Sequence, residues 1–207
     1  IAFALYYPNQ RLLLFFVMTV GAVFKVAGAL SADSPYSNVG AQRELLQMLA
    51  YEPLVVLTFV GISAATGSFM ISVVYALDVP LLPHLPFLFV ALGYALTIKL
   101  AKSPFDIASC HHGHQEIVRG VLTDYSGPQL ALLEISHWLD VILLLGLCSM
   151  FWHTSVTGMV ILLVLTYALE ILVDNVCARM TWTWMLKHAF GITLGLAIFN
   201  ILWLYVR

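Results

Sequence analysis

Charge is what this sequence has least of. Only 10% of its 207 residues are charged, nine Lys or Arg against eleven Asp or Glu, for a formal net charge of −2. No basic tract occurs anywhere, and that excludes the electrostatic footprint of a nucleic-acid-binding protein. Cysteine is nearly as scarce. Cys110, Cys148 and Cys177 are widely spaced, with no Cys-x-x-Cys pair. An iron–sulfur cluster normally takes four thiolates, so this chain alone builds none. Sustained alternation of apolar and polar residues, the mark of a membrane barrel, is also missing.

What the sequence has in quantity is apolar length. Hydrophobic residues make up 61% of the chain, and the mean hydropathy is +0.95. Runs of about 20 apolar residues recur, enough to cross a hydrocarbon core of roughly 30 Å. The expected fold class is an all-α integral membrane protein, one transmembrane helical domain over residues 1–207. The chain opens Ile1-Ala2-Phe3, read as the tail of an earlier span that reaches Tyr7. Complete spans are expected at Leu12–Leu30, Ala41–Thr66, Phe87–Ala101, Pro128–Trp152, Val156–Val176 and Ala189–Val206, six in all with one partial. Ser31–Gly40 reads as a loop from its Ser, Asp, Pro, Asn and Gly content. Gly67–Pro86 and Arg179–Lys187 read as connectors, the latter with Trp182 and Trp184 suited to an aromatic belt.

The basic residues, few as they are, set an orientation. Alternating spans put Arg43, Lys99, Lys102, Arg119, Arg179 and Lys187 on one side, and Arg11 and Arg207 on the other. The richer side is cytoplasmic by the positive-inside bias. The expected location is the cytoplasmic (inner) membrane, with residues 102–127 facing the cytoplasm.

That stretch, KSPFDIASCHHGHQEIVRGVLTDYSG, is a polar island. It holds three of the eleven acids and three of the seven histidines. Long loops between spans call for a role, and contact with a partner outside the membrane is the natural one. Cys110, His111, His112 and His114 are residue types that bind zinc. All four fall within five residues, however, which strains a tetrahedral site from one segment, so no metal is expected. His137 and His188 start spans from the same side and are conceivable haem ligands. Their depths differ, and interface or satisfied histidines explain them better.

Charges inside the spans carry the other signal. An ionisable group at mid-bilayer costs a few kcal/mol or more, so it faces the bundle interior and usually has a role. Glu134, His137 and Asp140 recur every three residues and line one broad face, rising about 9 Å. With Lys25, Glu52 and Glu170 they are candidates for a buried proton or ion relay. The plainer alternative is helix glue, polar contacts worth about 0.6 kcal/mol each.

Four motifs in sequence order then bring a family into view. Gly40-Ala41-Gln42-Arg43 with Tyr51-Glu52, Pro104-Phe105-Asp106, Gln115-Glu116, and Thr123-Asp124-Tyr125-Ser126-Gly127 resemble the signature of the proximal (H-type) membrane subunit of complex I. The stretches AKSPFDIASCHHGHQE and DNVCARMTWTWML look closer to the Ech-type and CO-linked group 4 energy-converting [NiFe] hydrogenases. His114 stands where complex I has an acid, and His137 where it has a Glu. The resemblance implies a membrane anchor that is not itself redox-active, a non-catalytic subunit of an ion-translocating oxidoreductase. No cofactor is expected in this chain. The [NiFe] centre and iron–sulfur clusters would sit in partners: hydrogenase large and small subunits, an iron–sulfur subunit and antiporter-like membrane subunits. Arg43, Asp106, His111, His112, His114, Glu116, Arg119 and Asp124 are the expected docking and coupling residues. Ferredoxin-linked proton reduction would thereby drive H⁺ or Na⁺ across the membrane. The competing readings are a quinone-binding complex I subunit, a stand-alone ion transporter and a haem carrier.

Overall fold

The computed structural model describes residues 11–101, 103–105, 108 and 120–206, and over these it is helical with no strand. In chain order come α1 (Arg11–Leu30), α2 (Pro35–Thr66), α3 (Ile71–Tyr75), α4 (Pro86–Lys99), a 3₁₀ turn (Gly120–Leu122), α5 (Gly127–Ser149) with a 3₁₀ extension (Met150–Trp152), and α6 (Val156–Val176). The last span is built in three pieces: α7 (Trp182–Lys187), a π-helical turn (His188–Thr193) and α8 (Leu194–Val206). Among the described residues, five helices are long and apolar enough to cross a membrane: Leu13–Leu30, Pro35–Thr66, Gly127–Trp152, Val156–Val176 and Trp182–Val206. The chain is a multi-pass membrane protein.

The apolar runs predict six complete spans, and the discrepancy lies in α4. Its 14 residues reach about 21 Å, short of a core of roughly 30 Å. The helix starts beside the far end of α5, where the Leu82 amide donates to the Phe151 carbonyl (3.0 Å) and the Phe89 and Phe151 rings meet edge-on at 5.1 Å. It stops at Lys99, opposite Asp140 in the middle of α5. The remaining expected segment, the partial span at Ile1–Tyr7, lies outside the described residues.

Beyond Lys99 the backbone is irregular, with Ala101 at φ 51°. Non-helical backbone at membrane depth survives only where protein covers it and satisfies its polar groups. Both conditions are met. Phe105 is 2% exposed, and its carbonyl accepts from the Gln47 side-chain amide. The Pro104 carbonyl accepts from the Met180 amide at 3.0 Å, and the Ser103 amide donates to Asp174 Oδ1 at 3.0 Å. The polar island is therefore not simply a loop outside the bundle, because its described ends are part of the packed interior.

Those ends close on each other and on α2. The Val121 amide donates to the Ala108 carbonyl (3.4 Å), and both residues are buried. Glycine makes the approach possible. A Cβ on Gly40 would strike the backbone of Gly120 and Val121, and one on Gly120, which sits at φ +58°, would strike the Ala108 carbonyl.

Two expected loops are shorter than their composition suggested. Within Ser31–Gly40 the helix already begins at Pro35, because proline at the first turn gives up only an amide that has no intrahelical partner anyway. The Ser37 hydroxyl then ties the new helix back to the Ala29 carbonyl at 2.9 Å. Within Arg179–Lys187, α7 is helical and runs through the π turn into α8, so the last span starts at Trp182 rather than Ala189. Its far end holds α4 in place. Asn200 Oδ1 accepts from the Phe87 and Leu88 amides at 3.0 and 3.1 Å, and Asn200 Nδ2 donates to the His84 carbonyl at 3.1 Å. That satisfies orphan donors at the α4 N-terminus.

Candidate functional site: a charged cavity where the fourth helix stops short

The early end of α4 leaves room beside α5, and a cavity of about 240 Å³ fills part of it. Lys25 from α1, Glu44, Gln47 and Tyr51 from α2, Lys99 from α4, Tyr125, and Glu134, His137 and Asp140 from α5 all line it. Glu44, Gln47 and Tyr51 recur at spacings of three and four, so they share one face of α2. The three-residue spacing on α5 does the same from the other wall.

Two ion pairs organise these charges. Lys25 Nζ lies 3.0 Å from Glu44 Oε1, and Lys99 Nζ lies 3.0 Å from Asp140 Oδ2. The Lys99 side chain is only 9% exposed. It also donates to the Tyr51 hydroxyl at 3.2 Å and sits 5.0 Å above the Tyr51 ring centre. Lys99 is thus the hub joining α2, α4 and α5. His137 lines the same cavity, within electrostatic reach of Lys25, Asp140, Glu134 and Lys99. Pairing is what makes such charges tolerable, since a buried charge without its partner costs several kcal/mol.

Of the six residues that the sequence suggests for a relay, four share this cavity: Lys25, Glu134, His137 and Asp140. Glu52 stands next door. It lines a narrow slot with Thr19, Tyr51 and Lys99 and feels the Lys99 charge. Glu170 is elsewhere. It is 4% exposed on the inner face of α6, beside Thr97 of α4 and near Cys148 of α5. Expecting it to join Glu134 and Asp140 takes no account of α4, which brings Thr97 to Glu170 and Lys99 to Asp140.

Of the expected docking residues, Arg43 on α2 and Asp124 within the island are exposed. Asp106, His111, His112, His114, Glu116 and Arg119 lie outside the described residues. Among the described residues no group of three or more His, Cys, Asp or Glu could hold a metal ion. His188 is stacked on Trp184, ring centres 3.5 Å apart. Sequence reasoning missed Lys99, Glu44, Gln47 and Tyr51 as parts of one site. The available signal was Lys99 itself, a cation ending an apolar run of only 13 residues from Pro86 to Ile98.

The family model described as NADH dehydrogenase matches residues 2–205. Among curated proteins, Hydrogenase-4 component C of Escherichia coli (strain K12) is 35% identical over 126 residues, covering 58% of this chain and 38% of its own length. The H 1 subunit of the NADH-quinone oxidoreductase of Geobacter metallireducens is 30% identical over 152 residues, covering 70% of this chain and 45% of its own. The chain therefore spans less than half the length of these relatives. A chain in the structure of the membrane-bound sulfane sulfur reductase, an archaeal respiratory membrane complex, superposes with a TM-score of 0.82 at 20% identity, over 94% of this chain and 69% of that one. At that identity the likeness is one of fold.

Proposed function

This chain belongs to the NADH dehydrogenase family, and from that membership we propose that it is the membrane-anchor subunit of an energy-converting [NiFe] hydrogenase. Its task is to dock the peripheral electron-transfer arm and couple proton reduction to H⁺ or Na⁺ movement. The greater identity to Hydrogenase-4 component C than to the quinone oxidoreductase relative supports this branch. The metal centres belong to partners, and this chain supplies position and charge.

The observation that carries the reading is the Lys99 hub. Its helix ends where the polar island begins, two residues before Ala101 and six before Phe105. Gln47, one helical turn from Tyr51, grips the Phe105 carbonyl. A partner pushing on the island from outside the membrane therefore acts on both ends of the Lys99–Tyr51 contact. Inside a low-dielectric bundle a small shift of Lys99 between Asp140, Tyr51 and Glu52 changes their interaction strongly. That makes the island a handle and the cavity the place where its motion becomes an electrostatic change.

The test uses the assembled complex in vesicles, with pH-gradient formation measured alongside hydrogen evolution from an artificial donor. Glu52→Gln and Glu134→Gln each keep size and most hydrogen bonding but remove the charge. The expected result is normal assembly and donor-driven hydrogen evolution with loss of ion translocation. Pumping per hydrogen at the wild-type value in both variants overturns the relay. A quinone-binding role is the second reading, favoured by the longer match to the quinone oxidoreductase relative, 70% of this chain against 58%. Displacement of a labelled quinone from the complex by variants at the cavity wall would select it.

A further inference from the structure

From Val141 to Leu169 the chain carries no Asp, Glu, Lys or Arg. His153 is the single residue of that stretch able to take on a positive charge near neutral pH. It sits in the turn between two spans, Gly127–Trp152 and Val156–Val176, at the end of α5 remote from the polar island. The residue is half-buried, and both ring nitrogens are aimed at backbone carbonyls. Nε2 lies 2.8 Å from the Leu77 oxygen and Nδ1 lies 3.3 Å from the Met150 oxygen.

A carbonyl oxygen only accepts, and a neutral imidazole has one N–H to give. The neutral ring therefore serves one carbonyl and turns a lone pair on the other, whereas the imidazolium donates to both. The two carbonyls belong to different elements: Met150 to the 3₁₀ extension of α5, Leu77 to the connector that leads from α3 into α4. The same seam holds the Leu82 amide, 3.0 Å from the Phe151 carbonyl, and the Tyr75 hydroxyl, 3.4 Å from Ser149 Oγ. Tyr75 of α3 is the titratable group in contact with the imidazole, edge-on with ring centres 6.0 Å apart. The connector also carries Asp78 and His84, both exposed, and among the described residues His153 makes no ion pair.

We propose that His153 is a proton-operated latch at this end of the bundle. Protonated, it clamps the connector, and with it the start of α4, to the end of α5; neutral, it releases one of the two carbonyls. The second bond is present on the acid side and is lost as pH rises through the histidine range, roughly 5 to 8. Because α4 carries Lys99 at its other end, pH on this side of the membrane bears on the helix that borders the charged cavity. The latch needs nothing from the coupling reading.

Hydrogen exchange by mass spectrometry on the purified complex, between about pH 5 and pH 8, tests it. Rates are read as protection factors, which removes the intrinsic pH dependence of exchange. In the wild-type complex protection at Leu82 should fall about fivefold from the acid to the alkaline end, the net worth of one hydrogen bond, while residues 162–168 of α6 stay level. His153→Gln keeps an N–H donor and cannot titrate, so Leu82 should not respond to pH in that variant. In His84→Gln the fall should remain. Wild-type protection that is level or rises with pH overturns the latch, as does a fall that survives in His153→Gln or disappears in His84→Gln. The wild-type series stands even where His153→Gln fails to assemble. Ion pumping is not measured, so failure here is separate from failure of the coupling reading.

Discussion

Lys99 Nζ lies 3.0 Å from Asp140 Oδ2, joining the last residue of a 14-residue helix to the middle of a 23-residue one. Three features meet in that contact: the short span, the irregular chain that follows it and the cavity that occupies the gap. Lys99 is also the residue most open to a direct energetic test.

Replacing Lys99 by Met should leave Asp140 uncompensated, at a cost of about 3–5 kcal/mol. Adding Asp140→Asn should recover much of that, because the double variant removes both charges of the pair. Unfolding midpoints of the single and double variants in one detergent measure the coupling. A double variant no more stable than Lys99→Met would show that the pair is not a unit.

Gly40→Ala should be disproportionately harmful for so small a change. The added methyl meets backbone of Gly120 and Val121 rather than a side chain that can turn away. Overpacking of this kind costs about 1–3 kcal/mol or more. Gly93→Ala is the control, since nothing lies within 4 Å of a Cβ there. The thermal midpoints of the two proteins should separate clearly, with Gly93→Ala at or above the wild-type value.

Asn200→Leu should loosen the start of α4 while keeping side-chain volume. It strips the acceptor from the Phe87 and Leu88 amides and the donor from the His84 carbonyl. Each buried group left unsatisfied costs about 1–3 kcal/mol. Hydrogen exchange at Phe87 and Leu88 should quicken in the variant, and by more than exchange at residues 162–168 of α6. Equal protection at Phe87 and Leu88 in both proteins would mean that α4 finds its cap elsewhere.

The sequence by itself determined the class of this molecule and the positions of its long helices. Unbroken apolar runs of span length admit few other structures, since in hydrocarbon a helix satisfies its backbone internally. It also determined that Glu134, His137 and Asp140 share a face, because helical periodicity places residues three apart within reach of one another. The order of the four motifs was enough to suggest the family. Tertiary structure alone decided which charges meet. Lys99 reads as an interfacial lysine until α4 is seen to stop beside Asp140, and Glu170 reads as one more member of a charged set until α4 is seen to bring Thr97 to it instead. The burial of Phe105 and the closing of Ala108 on Val121 were equally out of reach from sequence. Their causes are long-range hydrogen bonds to Gln47, Asp174 and Met180, with the Asp174 carboxylate accepting and the other two donating, and a glycine-to-glycine approach. Local pattern fixes what each segment is; the partners that make a buried charge or an irregular backbone tolerable lie tens of residues away, and only packing brings them together.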